Sequence, residues 1–145
     1  MIRAVGIALL LAVVAHPALA QNLQGVWQFE RQGHDGRYAG TVVIEREDAR
    51  NAGRSQRQEY AQCGFVRIDG ERIEIVFTKV ASQGPYSPDR FICSATGGPS
   101  LVCYNRDAAG HREPTSFALR RIGDLPDTAA GRLEHLCPPR ERPNS

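Results

Sequence analysis

The alternation of apolar and polar residues on both sides of Asp69-Gly70 constrains the fold of this chain more than any other feature. Two alternating runs joined by Asp-Gly predict a β-hairpin with a two-residue turn. In that register Ile68 faces Glu71 and Val66 faces Ile73. The apolar residues of both runs then share one face, which indicates a hairpin with one side in a core.

Short runs of the same kind recur along the chain, which predicts an all-β fold. The predicted strands are 25–30, 38–47, 58–62, the two runs around Asp69-Gly70, 89–95, 100–105 and 113–122. The polar stretch 48–57 is predicted to be a loop. About seven or eight antiparallel strands with short connections are typical of a small meander barrel, and also of a two-sheet sandwich. The pattern does not decide between these two architectures.

The first twenty residues have the form of a signal peptide. Arg3 precedes an apolar run from Ala4 to Ala15, and Ala18-Leu19-Ala20 matches the site that a signal peptidase cleaves. The run is shorter than the roughly 20 apolar residues that span a bilayer. We therefore predict cleavage after Ala20, a secreted or periplasmic location and no membrane anchor in the mature chain.

These signals divide the chain into three parts. We predict a signal peptide at 1–20, a β-barrel domain at 21–123, and a short helix over 127–136 followed by a disordered tail within 124–145. The chain has 18 basic and 16 acidic side chains, a net charge of +2. A balance so close to zero argues against nucleic acid as a partner.

Four cysteines remain after the predicted cleavage, and an even number in an exported chain indicates two disulfides. A zinc site is the competing interpretation, but neither the cysteines nor the histidines have the spacing that structural zinc sites use. If residues 96 and 100 face each other in a hairpin, Cys93 lies opposite Cys103. Cys63 and Cys137 would then form the second bridge, although four cysteines allow three pairings.

The sequence Gly25-x-Trp27 at the first strand resembles the opening of lipocalin-like and avidin-like (calycin-type) barrels. In lipocalins an Arg of the last strand packs over this Trp, and Arg120 or Arg121 has the corresponding place here. Many lipocalins also carry a helix after the barrel and a disulfide from the C-terminal segment to a strand. The segment 127–136 and a Cys63–Cys137 bridge would be similar. The resemblance implies a closed barrel with Gly25 and Trp27 at its closed end.

Motifs for catalysis, cofactors and metals are missing, so we predict a protein that is not an enzyme and needs no cofactor. His34-Asp35 and His111 with Glu113 are the local groups with acid–base potential. Each lies in or beside a predicted loop, and we interpret both as solvated polar residues. An enzyme would require one of these histidines to meet a carboxylate across a cleft.

Two kinds of binding protein remain. The first holds a small apolar ligand inside the barrel, in a void lined by the apolar residues Phe29, Ile44, Phe77 and Phe91 with Tyr86 nearby. The alternative is an exported protein that binds another protein, for example an inhibitor of a cell-wall hydrolase. That alternative predicts a filled interior and an exposed loop that carries Tyr86 or His34.

Overall fold

The computed structural model describes residues 23–124, which form a closed barrel of eight antiparallel strands. Each strand pairs with the next one along the chain, and the last pairs with the first. The all-β prediction is confirmed, and the chain forms the barrel rather than the two-sheet sandwich. The strands are β1 (Gly25–Gly33), β2 (Gly36–Glu45), β3 (Asp48–Ser55), β4 (Glu59–Asp69), β5 (Arg72–Ser82), β6 (Arg90–Ala95), β7 (Ser100–Arg106) and β8 (Phe117–Gly123). The predicted signal peptide and the predicted helix over 127–136 lie outside the described residues.

The hairpin of β4 and β5 is present, but its turn lies one residue later than predicted. Gly70 and Glu71 form the turn, and Ile68 faces Ile73 rather than Glu71. Gly70 has a φ of 61°, a conformation that glycine adopts without steric cost. In this register apolar residues face each other on the inner side, because Ile68 meets Ile73 and Val66 meets Ile75.

The predicted loop over 48–57 is wrong, because Asp48–Ser55 is strand β3. A tight turn at Arg46, which has a φ of 57°, joins β3 to β2. The inward positions of β3 are small or polar, namely Ala49, Asn51 and Gly53. The strand therefore lacks the apolar alternation that identifies strands in sequence, and pairing with β2 and β4 holds it in place.

The hairpin of β6 and β7 has the predicted register. Cys93 lies directly opposite Cys103, and the two form a disulfide with a Cα–Cα distance of 4.1 Å. Cys63 is disulfide-bonded as well. Its predicted partner Cys137 lies outside the described residues, so that pairing stays a prediction.

The meander gives the barrel two different ends. At one end, which we call the turn end, short turns join β2 to β3, β4 to β5 and β6 to β7. At the other, the loop end, lie the β1–β2 turn, the β3–β4 turn and the long connections 83–89 and 107–116. The last strand is shorter than predicted, since β8 begins at Phe117 and not at Glu113. Glu113 is instead in the β7–β8 connection and is buried.

Aromatic side chains fill the middle of the barrel. Phe91 is fully buried, with its ring centroid 5.3 Å from that of Phe29, 5.5 Å from that of Phe77 and 5.0 Å from that of Phe117. These spacings are those of edge-to-face aromatic packing. Branched side chains surround the rings, among them Val42, Ile44, Ile73, Ile75, Leu101 and Leu119. The centre of the barrel is therefore a packed apolar core.

Candidate functional site

Above this apolar core, the loop end holds a buried ion-pair cluster. Arg31, near the end of β1, donates from Nη2 to Asp89 Oδ1 at 3.0 Å and from Nη1 to Glu113 Oε2 at 2.8 Å. The Arg31 side chain is only 2% exposed. A buried arginine of this kind is stable only because both carboxylates pair with it.

The strand phase explains why Arg31 is inside. Trp27, Phe29 and Arg31 occupy successive inward positions of β1. Arg31 is the inward position that follows Phe29, so its guanidinium group lies inside the barrel. Arg31 is not among the residues predicted from the sequence, although its position four residues after Trp27 places it on the same face of the strand.

Two buried amide side chains donate to the carboxylates, and a third amide, Asn51, is hydrogen-bonded to one of these two. Gln62 Nε2 donates to Asp89 Oδ2 at 2.8 Å and to Asn51 Oδ1 at 2.9 Å. Asn105 Nδ2 donates to Asp89 Oδ1 at 3.0 Å and to Glu113 Oε1 at 3.1 Å. The amides come from β3, β4 and β7, so the cluster ties together strands that are distant in sequence.

Three tyrosines cover the ion-pair cluster. The rings of Tyr60 and Tyr86 are stacked, with centroids 4.0 Å apart, and Tyr38 lies 6.4 Å and 6.2 Å from them. The Arg31 guanidinium carbon lies 4.2 Å from the centre of the Tyr38 ring, within the range of a cation–π contact. Gly53 makes room for Tyr60, because a Cβ at that position would collide with its ring.

Burial and charge shift the titration of these groups. Burial alone would lower the pKa of Arg31, but the charges of Asp89 and Glu113 raise it above its ordinary value. Burial, together with the neighbouring Asp89 charge, raises the pKa of Tyr86. The tyrosine is held neutral, and its hydroxyl donates to Asp89 Oδ2 at 2.7 Å.

Alkaline pH should destabilise the barrel, and Tyr60 should account for part of the loss, beside Tyr86 and Tyr38, whose pKa values are also raised. Burial raises the pKa of Tyr60 from 10.0 to about 12. Because the folded pKa is the higher one, the stabilisation is complete below pH 10 and is lost as the pH rises towards 12. Two pKa units correspond to about 3 kcal/mol in the free energy of unfolding. Urea denaturation of the wild type and of Tyr60→Phe across this pH range measures the loss. An equal loss in both proteins would contradict the assignment to Tyr60.

The same contacts fix the connection between β5 and β6. Tyr86 Oη accepts from Arg31 Nη2 at 3.2 Å, which anchors the second half of the connection. Gln58 anchors the first half, since it accepts from Gly84 N at 2.7 Å and donates to the carbonyl of Pro85 at 3.1 Å. The side chains of the connection at positions 83, 85 and 87 are exposed. The connection 83–89 is thus a loop held in one conformation.

Four of the five predicted ligand-binding residues lie together, and Tyr86 lies apart from them. Phe29, Ile44, Phe77 and Phe91 are buried in the apolar core, where the Phe rings contact one another. Tyr86 lies at the loop end and is half-buried in the tyrosine cluster. The side chains that converge on a common polar site are instead Arg31, Asn51, Gln62, Asp89, Asn105 and Glu113. Of these, the sequence pointed only to Glu113, as a neighbour of His111, and the structure pairs it with Arg31.

The residues predicted to close the barrel lie at the turn end. Trp27 is buried, and its Nε1 donates to the carbonyl of Leu23 at 2.9 Å. Arg121 lies opposite Trp27 in the β1–β8 pair. Its guanidinium donates to the carbonyl of Gln24 at 3.1 and 3.2 Å and lies against Gly25. Arg120 is exposed on the outer face of β8.

The two candidate histidines, His34 and His111, lie on the surface of the loop end. His34 is exposed in the β1–β2 turn, and the His111 side chain is 78% exposed. His111 Nδ1 lies 3.6 Å from Asp107 Oδ2 within one connection. Hydrogen bonding by the His111 backbone lowers the pKa of Asp107. Residues 23–124 contain no group of three or more potential metal ligands.

These features define a closed eight-stranded antiparallel barrel with an apolar centre and a polar, aromatic loop end. The sequence matches no model of a known protein family, and no curated protein matches it. Residues 23–124 contain no helix that is long and apolar enough to cross a membrane.

Proposed function

We propose that this is an exported binding protein that recognises a protein partner through the loop end of a filled barrel. The observation that carries the proposal is the rigid connection 83–89, which is anchored to the core by Tyr86 and Asp89. A preorganised loop loses little conformational entropy on binding. Loops held by a rigid scaffold are also where binding residues concentrate. An inhibitor of a cell-wall hydrolase is one protein of this kind.

The filled interior is the reason for preferring a protein partner to a small apolar ligand. A ligand among Phe29, Ile44, Phe77 and Phe91 would have to displace side chains that contact one another. Close-packed protein cores have few voids larger than a water molecule. We also propose a calycin-type barrel, which Gly25-x-Trp27 at the start of β1 and the eight strands support.

Substitution at the tip of the rigid loop tests the proposal. Ser87→Arg adds bulk and charge at an exposed loop position, and Gly98→Arg adds the same group at an exposed position of the turn end. The wild type, immobilised and exposed to periplasmic extract, should retain one dominant protein. Ser87→Arg should reduce its recovery at least about tenfold, which corresponds to 1.4 kcal/mol, while Gly98→Arg should not. Equal recovery by both variants, or no partner for the wild type, contradicts the proposal.

A further inference from the structure

The outer face of the barrel between β4 and β7 carries a concentration of arginines around one carboxylate. Glu74 points outward from β5 and is buried, although it is on the outer face. Arg72 donates to it at 2.9 Å and Arg90 at 2.8 Å, and Arg67 forms a third ion pair. These three arginine side chains remain 47%, 39% and 55% exposed, in that order. One carboxylate therefore positions three guanidinium groups that still face solvent.

The pKa of Glu74 agrees with this arrangement. Burial alone would raise it, but hydrogen bonds from Arg90 and Arg67 lower it below its ordinary value. Glu74 is therefore ionised at neutral pH. Three positive charges around one negative charge leave the group with an excess of positive charge.

A second group of arginines continues this face towards the loop end. Tyr104 points outward from β7, with the guanidinium carbon of Arg112 4.1 Å and that of Arg106 5.8 Å from its ring centre. Arg106 pairs with Arg90 across the β6–β7 ladder, so the two groups are continuous. We call the surface formed by Arg67, Arg72, Arg90, Arg106 and Arg112 the arginine wall.

The arginine wall makes the charge of the molecule uneven. It contains five arginines with Glu74 among them, and Asp69 lies at its edge opposite Arg72. Five of the 14 basic side chains of residues 23–124 lie in this wall. Val102, which is 44% exposed, lies on β7 next to Tyr104 and adds an apolar contact. Exposed Arg and Tyr beside an apolar residue are typical of protein interfaces.

We propose that the arginine wall binds an acidic segment of a protein partner, an inference that rests on the proposed function and specifies the charge of that partner. Two features favour a protein over a nucleic acid. Arg112 lies over the Tyr104 ring, which nucleic-acid-binding proteins would leave free to stack on a base. Glu74 and Asp69 would repel a continuous polyanion, whereas separate carboxylates can each meet one guanidinium group.

Binding of a fluorescein-labelled peptide of glutamate and leucine tests the inference. The variant pair Arg106→Gln/Arg112→Gln leaves the three arginines around Glu74 intact. The matched control Arg37→Gln/Arg54→Gln removes the same charge from exposed positions on β2 and β3, across the barrel. We expect anisotropy to show about tenfold weaker peptide binding for the first pair and less than about twofold for the control. Binding should also weaken as salt rises to about 0.15 M.

Two further probes separate the sources of negative charge. Inorganic phosphate and vesicles that contain an anionic lipid are titrated against the same proteins. Stronger binding to either probe than to the peptide, or equal peptide binding by both variant pairs, overturns the inference. If the wild type does not bind the peptide but Ser87→Arg still loses the captured partner, the inference fails and the proposed function stands.

Discussion

Replacing Arg31 with methionine should lower the free energy of unfolding by about 3–5 kcal/mol, the cost of removing one partner from a buried ion pair. The substitution leaves Asp89 and Glu113 buried without the cation that each contacts at 3.0 Å or less. It also removes the cation above the Tyr38 ring. Urea denaturation at neutral pH measures the loss. A free energy of unfolding within about 1 kcal/mol of the wild type would show that the ion pairs are not buried as described.

A triple variant separates the lost charge from the lost packing. In Arg31→Met with Asp89→Asn and Glu113→Gln, all three charges are gone and the carboxylates become amides of similar shape. Breaking a buried ion pair is costly because it leaves an uncompensated buried charge, and the triple variant leaves no such charge. The triple variant should therefore be more stable than Arg31→Met. A triple variant less stable than the single one would contradict an electrostatic origin of the loss.

Replacing Phe91 with alanine should cost about 3–5 kcal/mol and open a cavity in the centre of the barrel. Phe91 is fully buried and contacts the rings of Phe29, Phe77 and Phe117. Most of the cavity would be lined by apolar side chains, with the Arg31 guanidinium at one side, 5.9 Å from the present ring centre, so it should accept benzene. The wild type should not bind benzene. Thermal denaturation with and without benzene measures both effects.

An exposed apolar residue is the control for this substitution. Ile122→Ala removes a side chain that is 54% exposed, and its stability should stay within about 0.5 kcal/mol of the wild type. Stabilisation of the wild type by benzene would contradict the filled interior. A loss below about 1 kcal/mol in Phe91→Ala would mean that the ring makes few core contacts.

The sequence predicted the parts of the fold that depend on local alternation. The two faces of β4 and β5 follow from Val66, Ile68, Ile73 and Ile75. The β6–β7 register follows from a turn that sets residues 96 and 100 opposite each other, and it places Cys93 opposite Cys103. The predicted turn at Asp69-Gly70 lies one residue too early, because apolar cross-strand pairing outweighs the turn preference of the Asp-Gly dipeptide here. With the turn at 70–71, Ile68 meets Ile73, and this apolar pair decides the register.

The polar end of the barrel could not be predicted in the same way. Asn51, Gln62 and Asn105 are polar residues at inward positions, so they weaken the alternation that identifies a strand. For this reason the residues of β3 have the sequence pattern of a loop. Their partners, Asp89 and Glu113, lie on connections 16 and 8 residues away from Asn105. Only the closure of the barrel brings these groups together, and no local pattern contains that information.

Native mass spectrometry of protein purified without denaturation tests the central claim most directly. The claim is that side chains fill the barrel and that binding takes place on its outside. We predict the same mass under native and denaturing conditions, with no small molecule released on unfolding. A stoichiometric ligand that leaves the protein only when it unfolds would contradict the claim and would place the binding site inside the barrel.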